Sequence, residues 1–468
     1  MTAQQALTPT QQLAAWTARQ TAGDLPADVL ALARDYLLDH IAVSLHGMRQ
    51  PWTEFVAEQV RHERGVQEAS IYGQALKVPM RAAALVNGSA AHAFELDDWH
   101  AGSLSHISAC VMPAVLAVAE QYRISGLRAL TAMVAGYEVM ARVGQSTIPE
   151  LIIRGFHPSG THGPIGAAAA VANLLQLSPQ QTVWAMGIAA SCAGGLMEFS
   201  QDPQGTMVKR FHTGRAAEAG VLAALLAQKG MTAPKAALDG KFGYARAFSN
   251  APRPEFLTQG LGEDYQIRYT NVKPYACCGA LHAGIDAVEQ LVADHDIAPE
   301  TIKEIVFGGN DSHLQRHASA DPDSVMAAQY SMPYAVAVAL KGRALDPRLS
   351  DEGSYRDPEL LALASRVRVE LHPDVVRAYP AKLGGYIKIR LRDGRVVDKL
   401  ILEAKGTTAQ PLGREGILAK ATALCEPLTT PAERKELFDL VLRFDQVKDA
   451  ATLAAAMARA SMPISSAP

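Results

Sequence analysis

The sequence predicts a mostly helical protein with a smaller α+β domain set into it. Three observations carry this reading. From about residue 10 to 260, apolar positions recur at three- and four-residue spacing in Ala/Leu-rich segments. Near residue 265 the texture changes to the two-residue alternation of strands, and after Lys405 helical spacing returns. The simplest architecture is an all-helical domain built from both chain ends, 1–267 and 406–468, plus an α+β domain over 268–405.

The elements follow in order. PADVLALARDYLLDHIAVSLHG, PAVLAVAEQYR and GPIGAAAAVANLLQLS read as helices, and their alanines allow neighbouring axes to approach closely. YQIRYT, IKEIVFGG, VRVELH, YIKIRL and RVVDKLIL read as strands, the last two flanking the hairpin signal Arg392-Asp393-Gly394-Arg395. Two helices are expected among them, around 280–295 and 325–341. LGREGILAKATALC, ERKELFDLVLRF and ATLAAAMARA complete the helical part.

With 44 basic and 47 acidic residues the net charge is -3, and no Lys/Arg block is present that could track a phosphate backbone or an anionic bilayer. Nucleic acid and membrane partners are not expected. The N-terminal residues lack a basic region leading into an apolar core, so a cytoplasmic location is expected. Five cysteines, two of them adjacent (Cys277 and Cys278), suit neither a disulfide framework nor an iron–sulfur cluster.

Four polar islands interrupt this apolar chain. AHAFELDDWHAGSLSHISA holds His92, Glu95, Asp97, Asp98, His100 and His106. RGFHPSGTHGPIG presents His157, Ser159, Thr161 and His162, and its glycines and prolines argue against regular helix. GTMVKRFHTGRAAEAG carries Lys209, Arg210, His212 and Arg215, and TNVKPYACCGALHAG places Lys273 at the change from helical to strand texture. Two islands are acidic or His-rich and two are cationic. Carboxylates and imidazoles move protons, whereas Lys and Arg hold anions. The first island has metal-ligand residue types but neither H-E-x-x-H nor a repeated E-x-x-H, so no metal is expected.

In this order and setting the islands resemble the MmgE/PrpD family, through NGSAAHAFELDDWH followed by His106, GFHPSGTHGPIGAAAA, MVKRFHTGRAAEAG, VKPYACCGALHAGIDA and YSMPYAVAVAL. The resemblance covers nearly the whole chain. It implies an all-α domain made of both chain ends, an α+β lid, a homodimer, and catalysis without metal or cofactor on a small anionic carboxylate. The family's Asp-Phe-Asp-Asp-Thr motif falls on Glu95-Leu96-Asp97-Asp98-Trp99, its histidines on His106 and His157, its lysines on Lys209 and Lys273, and a lid hydroxyl on Tyr334. Glu95 and Trp99 depart from that motif, which changes the carboxylate's reach and the pocket's volume.

The implied chemistry is a carbanion next to a carboxylate, made accessible by positioned cations and a proton carrier. On this reading His106, His157, Lys209, Lys273 and Asp97 are catalytic. Glu95, Trp99, Ser159, His212, Arg215 and Tyr334 contact substrate. Asp97 or Glu95 orients an imidazole after a chain reversal through Ala101-Gly102-Ser103, while His92 and His100 are structural. A dehydratase of a citrate-like substrate is the first expectation, with an epimerase or a decarboxylase as alternatives that use the same residues. A non-catalytic binding protein of the same fold is the rival outside enzymology.

Overall fold

A computed structural model describes residues 6–202, 206–342, 344, 346, 353–379 and 381–460. The chain ends assigned to the helical domain, and Gly205 at the head of the third island, therefore lie outside the described residues. The chain divides into two compact units, one comprising Met1–Met197, Met207–Asn271 and Ile417–Pro468, the other Glu198–Thr206 and Val272–Gly416.

Among the described residues, the regular structure of the first unit is helical apart from two-residue strands. Helices Pro9–Arg19, Ala27–Gly47 and Pro51–Glu63 lead into α1 (Met80–Ala91), α2 (Ile107–Gln121), α3 (Gly126–Gln145), α4 (Pro158–Leu174) and α5 (Val208–Gln228). α4 is buried along its whole length and packs on α2, α3 and α5. Such all-round burial requires the small side chains that fill it. Gly163 shows why: an added Cβ there would lie 2.7 Å from both Cys110 Sγ and Ala216 Cβ.

Two sequence expectations change here. The second island was expected to resist helix, yet α4 runs straight through its Gly/Pro-rich part. Pro158 sits at the helix start, where a missing N–H costs nothing. Pro164 withdraws the internal partner of the Gly160 carbonyl, and the Gly194 N–H replaces it at 3.2 Å. YQIRYT, expected as a strand, is instead a 3-10 turn (Gln266–Tyr269) followed by the two-residue strand Thr270–Asn271, which pairs antiparallel with Trp99–His100. The Gln266 N–H is taken by the Glu138 carboxylate at 2.7 Å, so this backbone finds its partner outside any sheet.

The second unit holds the strands that alternation predicts: β1 (Ile302–Gly309), β2 (Val367–Leu371), β3 (Gly385–Leu391) and β4 (Val396–Ile401), in the order β2-β1-β3-β4. β1 and β2 are parallel, the other pairs antiparallel, and the β3–β4 hairpin turns at Gly394 with φ +94°. Helices α6 (His282–His295) and α7 (Met332–Leu340) supply Ala283, Val288, Leu291 and Val336 to a core shared with Phe307, Ile387 and Ile389. The fold is mostly α with a smaller α+β part, as the sequence indicates.

Candidate active site

The site in the first unit is built on the turn between α1 and α2. α1 ends at Ala91, and the chain turns through His92–Asp98 with Glu95 in the left-handed region at φ +56°. It then reverses, the His100 N–H donating to the Ser105 carbonyl at 2.9 Å, and re-enters helix at Ile107. The reversal returns His106 to the carboxylates that precede it.

Asp97 is the hub. Its Oδ2 lies 2.7 Å from His92 Nδ1 and 3.0 Å from His106 Nδ1. Burial acts to raise the Asp97 carboxyl, but the imidazoles of His106 and His92 outweigh it and hold this group well below the usual carboxylate range. His106 Nδ1 also sits 3.0 Å from the Asp98 carbonyl. With the Asp97 carboxylate and the Asp98 carbonyl both within hydrogen-bond distance of Nδ1, that nitrogen is the one suited to carry a proton, and proton exchange with a substrate would fall to Nε2. His92 is sealed from solvent, and burial lowers it to about 3, partly opposed by Asp97. Its Nδ1 donates to Asp97, so its Nε2 is a bare acceptor with no hydrogen-bond partner among the described residues.

Asp98 supports His106 from beneath. Its Oδ1 accepts the Ser108 N–H in the first turn of α2 at 3.0 Å, a cap supplied from outside the helix, and Tyr137 donates to Oδ2 at 2.5 Å. Burial pushes this carboxyl up to about 7 despite those bonds.

The cations come from α5. Lys209 and Arg210 both pair with the buried Glu95 carboxylate. The Glu95 side chain holds two cations, and the trio carries a net positive charge. One turn on, His212 Nδ1 meets His157 Nδ1 at 3.0 Å, a hydrogen bond in which one of the two nitrogens donates and the other accepts. Ring centroids lie 4.4 Å apart for His106–His92, 6.1 Å for His92–His157 and 5.1 Å for His157–His212, so four imidazoles form a continuous row. Burial, then Lys209, hold His157 well below its ordinary value, and the same two causes lower His212 to about 4.

The remaining sequence candidates are placed as follows. Ser159 is fully buried, and its Oγ accepts the His106 N–H at 3.0 Å. Arg215 is not brought into the cluster: six residues beyond Lys209, it lies on another face of α5, half exposed and paired with Glu218. Trp99 is partly buried in the short strand facing Asn271. Lys273 and Tyr334 are both buried and belong to the second unit, Tyr334 on α7. His100 is structural, its Nδ1 3.0 Å from Ser103 Oγ.

His92, expected to be structural, is fully buried and donates to the Asp97 carboxylate that also faces His106. Helical periodicity does not reveal it, because it follows the last residue of α1 and reaches Asp97 through a turn. Arg210 and Asp98 were also passed over in favour of immediate neighbours. His92, Asp97 and His106 place three ligand atoms within 4.8 Å of one another, a donor set that no sequence spacing signals.

A family model for the MmgE/PrpD N-terminal domain matches residues 11–257, and one for the C-terminal domain matches 275–445. The chain belongs to the MmgE/PrpD family. The histidine row, Asp97 and the Glu95–Lys209–Arg210 trio all fall in the N-terminal match, and Tyr334 in the C-terminal one. This MmgE/PrpD protein is 30% identical over 470 residues to a cis-aconitate decarboxylase of Aspergillus terreus, covering 95% of this chain and 94% of that protein. It is 27% identical over 460 residues to the human cis-aconitate decarboxylase, covering 94% and 92%. A cis-aconitate decarboxylase-like protein of Aspergillus oryzae, oryM, is 36% identical over 297 residues, covering 60% of this chain and 61% of that one. No helix among the described residues is long and apolar enough to cross a membrane.

Proposed function

We propose that this MmgE/PrpD protein is a lyase that decarboxylates a small unsaturated polycarboxylate of the cis-aconitate kind, without a cofactor. The observation that carries the proposal is the double use of Asp97: one buried carboxylate holds both Nδ1 protons, so that His106 presents Nε2 as a proton carrier beside a trio of net positive charge. The names of the relatives favour decarboxylation over the dehydration that sequence reasoning ranked first.

The chemistry follows from charge. When the C–C bond to the departing carboxylate breaks, CO₂ leaves and its electron pair stays as an allylic carbanion spread towards a remaining carboxylate. That developing charge requires fixed cations, a role we assign to Lys209 and Lys273. A protonated His106 then delivers one proton from Nε2 to carbon, and Asp97 stabilises the imidazolium beforehand. His157 and His212 extend the row along which the proton is restored. Glu95 keeps Lys209 and Arg210 fixed while the substrate comes and goes, and Trp99 replaces a small hydroxyl residue with an indole, so a ligand other than cis-aconitate itself is within the proposal.

The test is incubation with cis-aconitate and a panel of related di- and tricarboxylates in deuterated water. Stoichiometric CO₂ release with one deuterium incorporated at a single product carbon is expected. Loss of water without CO₂ would move the protein to the dehydratases. Absence of both CO₂ release and deuterium exchange across the panel would leave it a binding protein.

A further inference from the structure

The helix Gly413–Cys425, on the returning C-terminal stretch, sends one charged side chain into the interior of the first unit. Lys420 is 7% exposed, and its Nζ lies 2.7 Å from Asp39 Oδ1 on the helix Ala27–Gly47. Lys420 also donates to the main-chain carbonyl of Leu96, at 2.6 Å. Leu96 stands between Glu95, which holds Lys209 and Arg210, and Asp97, which holds His92 and His106. Glu95 has the left-handed φ of +56°, a conformation that a non-glycine residue keeps only when its surroundings enforce it. A buried ammonium costs desolvation that Asp39 offsets, and its hydrogen bond fixes the peptide at the middle of the turn.

We propose that Lys420 is a positioning residue for the active site: the returning chain end anchors the Leu96 carbonyl and thereby sets where Asp97 and Glu95 aim the imidazoles and the cations. It acts through the turn and not on the substrate. The inference rests on the acid–base reading of His106, but its decisive readout does not depend on any substrate.

The experiment uses the full chain labelled with [15N]histidine, with imidazole nitrogen spectra recorded alongside thermal unfolding, kcat and KM for cis-aconitate. Lys420→Met leaves Asp39 buried and uncompensated, so Asp39→Asn/Lys420→Met, which removes both charges, is the companion. In the folded variants lacking Lys420, the nitrogen signals of His92 and His106 are expected to move. kcat is expected to fall about 10- to 100-fold, as when outer supports of a site are lost, with KM changed less than about two-fold. A folded variant lacking Lys420 with wild-type imidazole signals would overturn the proposal. If cis-aconitate is not turned over by the wild type, the proposed function fails while the imidazole spectra still decide the role of Lys420.

Discussion

Acid should destabilise this protein well above the range in which ordinary carboxylates titrate, and His162 measures the effect one proton at a time. His162 is fully buried, with Nδ1 2.7 Å from Ser105 Oγ and Nε2 3.1 Å from Thr147 Oγ1. Burial lowers it to about 3, as it does His40, His92 and His100. Below pH 6.5 the unfolded chain binds a proton that each folded site refuses, so stability is lost as pH falls. The loss between pH 7.5 and 5.5 is about 1.4 kcal/mol per histidine. The figure is insensitive to the folded value, which needs only to lie well below 5.5. Asp98 works in the opposite direction: its folded carboxyl, raised to about 7, takes up a proton across this interval and returns about 2 kcal/mol. Four histidines against Asp98 leave a net loss of about 4 kcal/mol, a large part of the 5–15 kcal/mol typical of a folded protein. His162→Gln keeps both hydroxyl partners supplied but cannot titrate. Urea unfolding followed by tryptophan fluorescence at the two pH values should therefore show a variant less pH-dependent than the wild type by about 1.4 kcal/mol. Equal pH dependence in the two proteins would refute the reasoning.

Four further outcomes are expected. His106→Gln should bind cis-aconitate yet abolish solvent deuterium incorporation, and exchange at the wild-type rate would transfer the proton carrier to His157 or His92. Asp97→Asn removes the shared acceptor of two Nδ1 protons, with charge-assisted bonds worth about 1.5–3 kcal/mol each, so kcat should fall by at least about ten-fold, measured by CO₂ release. Lys209→Met and Lys273→Met should each cut turnover while circular dichroism stays native; near-normal turnover in both would remove the charge-stabilising role. Chelation should leave activity unchanged, and stoichiometric metal whose removal and return switch activity off and on would instead assign His92, Asp97 and His106 as ligands.

Local pattern determined the element types. Spacing of three and four residues marks helices such as Ala27–Gly47 and Ile107–Gln121, and alternation marks β1 to β4, because these periods come from backbone geometry alone. The polar islands were visible for a related reason: ionisable groups in an apolar chain are costly unless they are used or solvated. Tertiary structure decided which of those groups meet. Pro164 is tolerated inside α4 only because Gly194, thirty residues away in sequence, supplies the missing donor. Glu95 could face an imidazole or an ammonium by composition, and the approach of α5 made it a partner of Lys209 and Arg210. His92 joins the site through a left-handed turn, Ser159 accepts the His106 N–H, and Lys420 reaches Leu96 across 324 positions of sequence. Such contacts follow from how buried charges find partners in three dimensions, and no periodicity along one chain encodes that pairing.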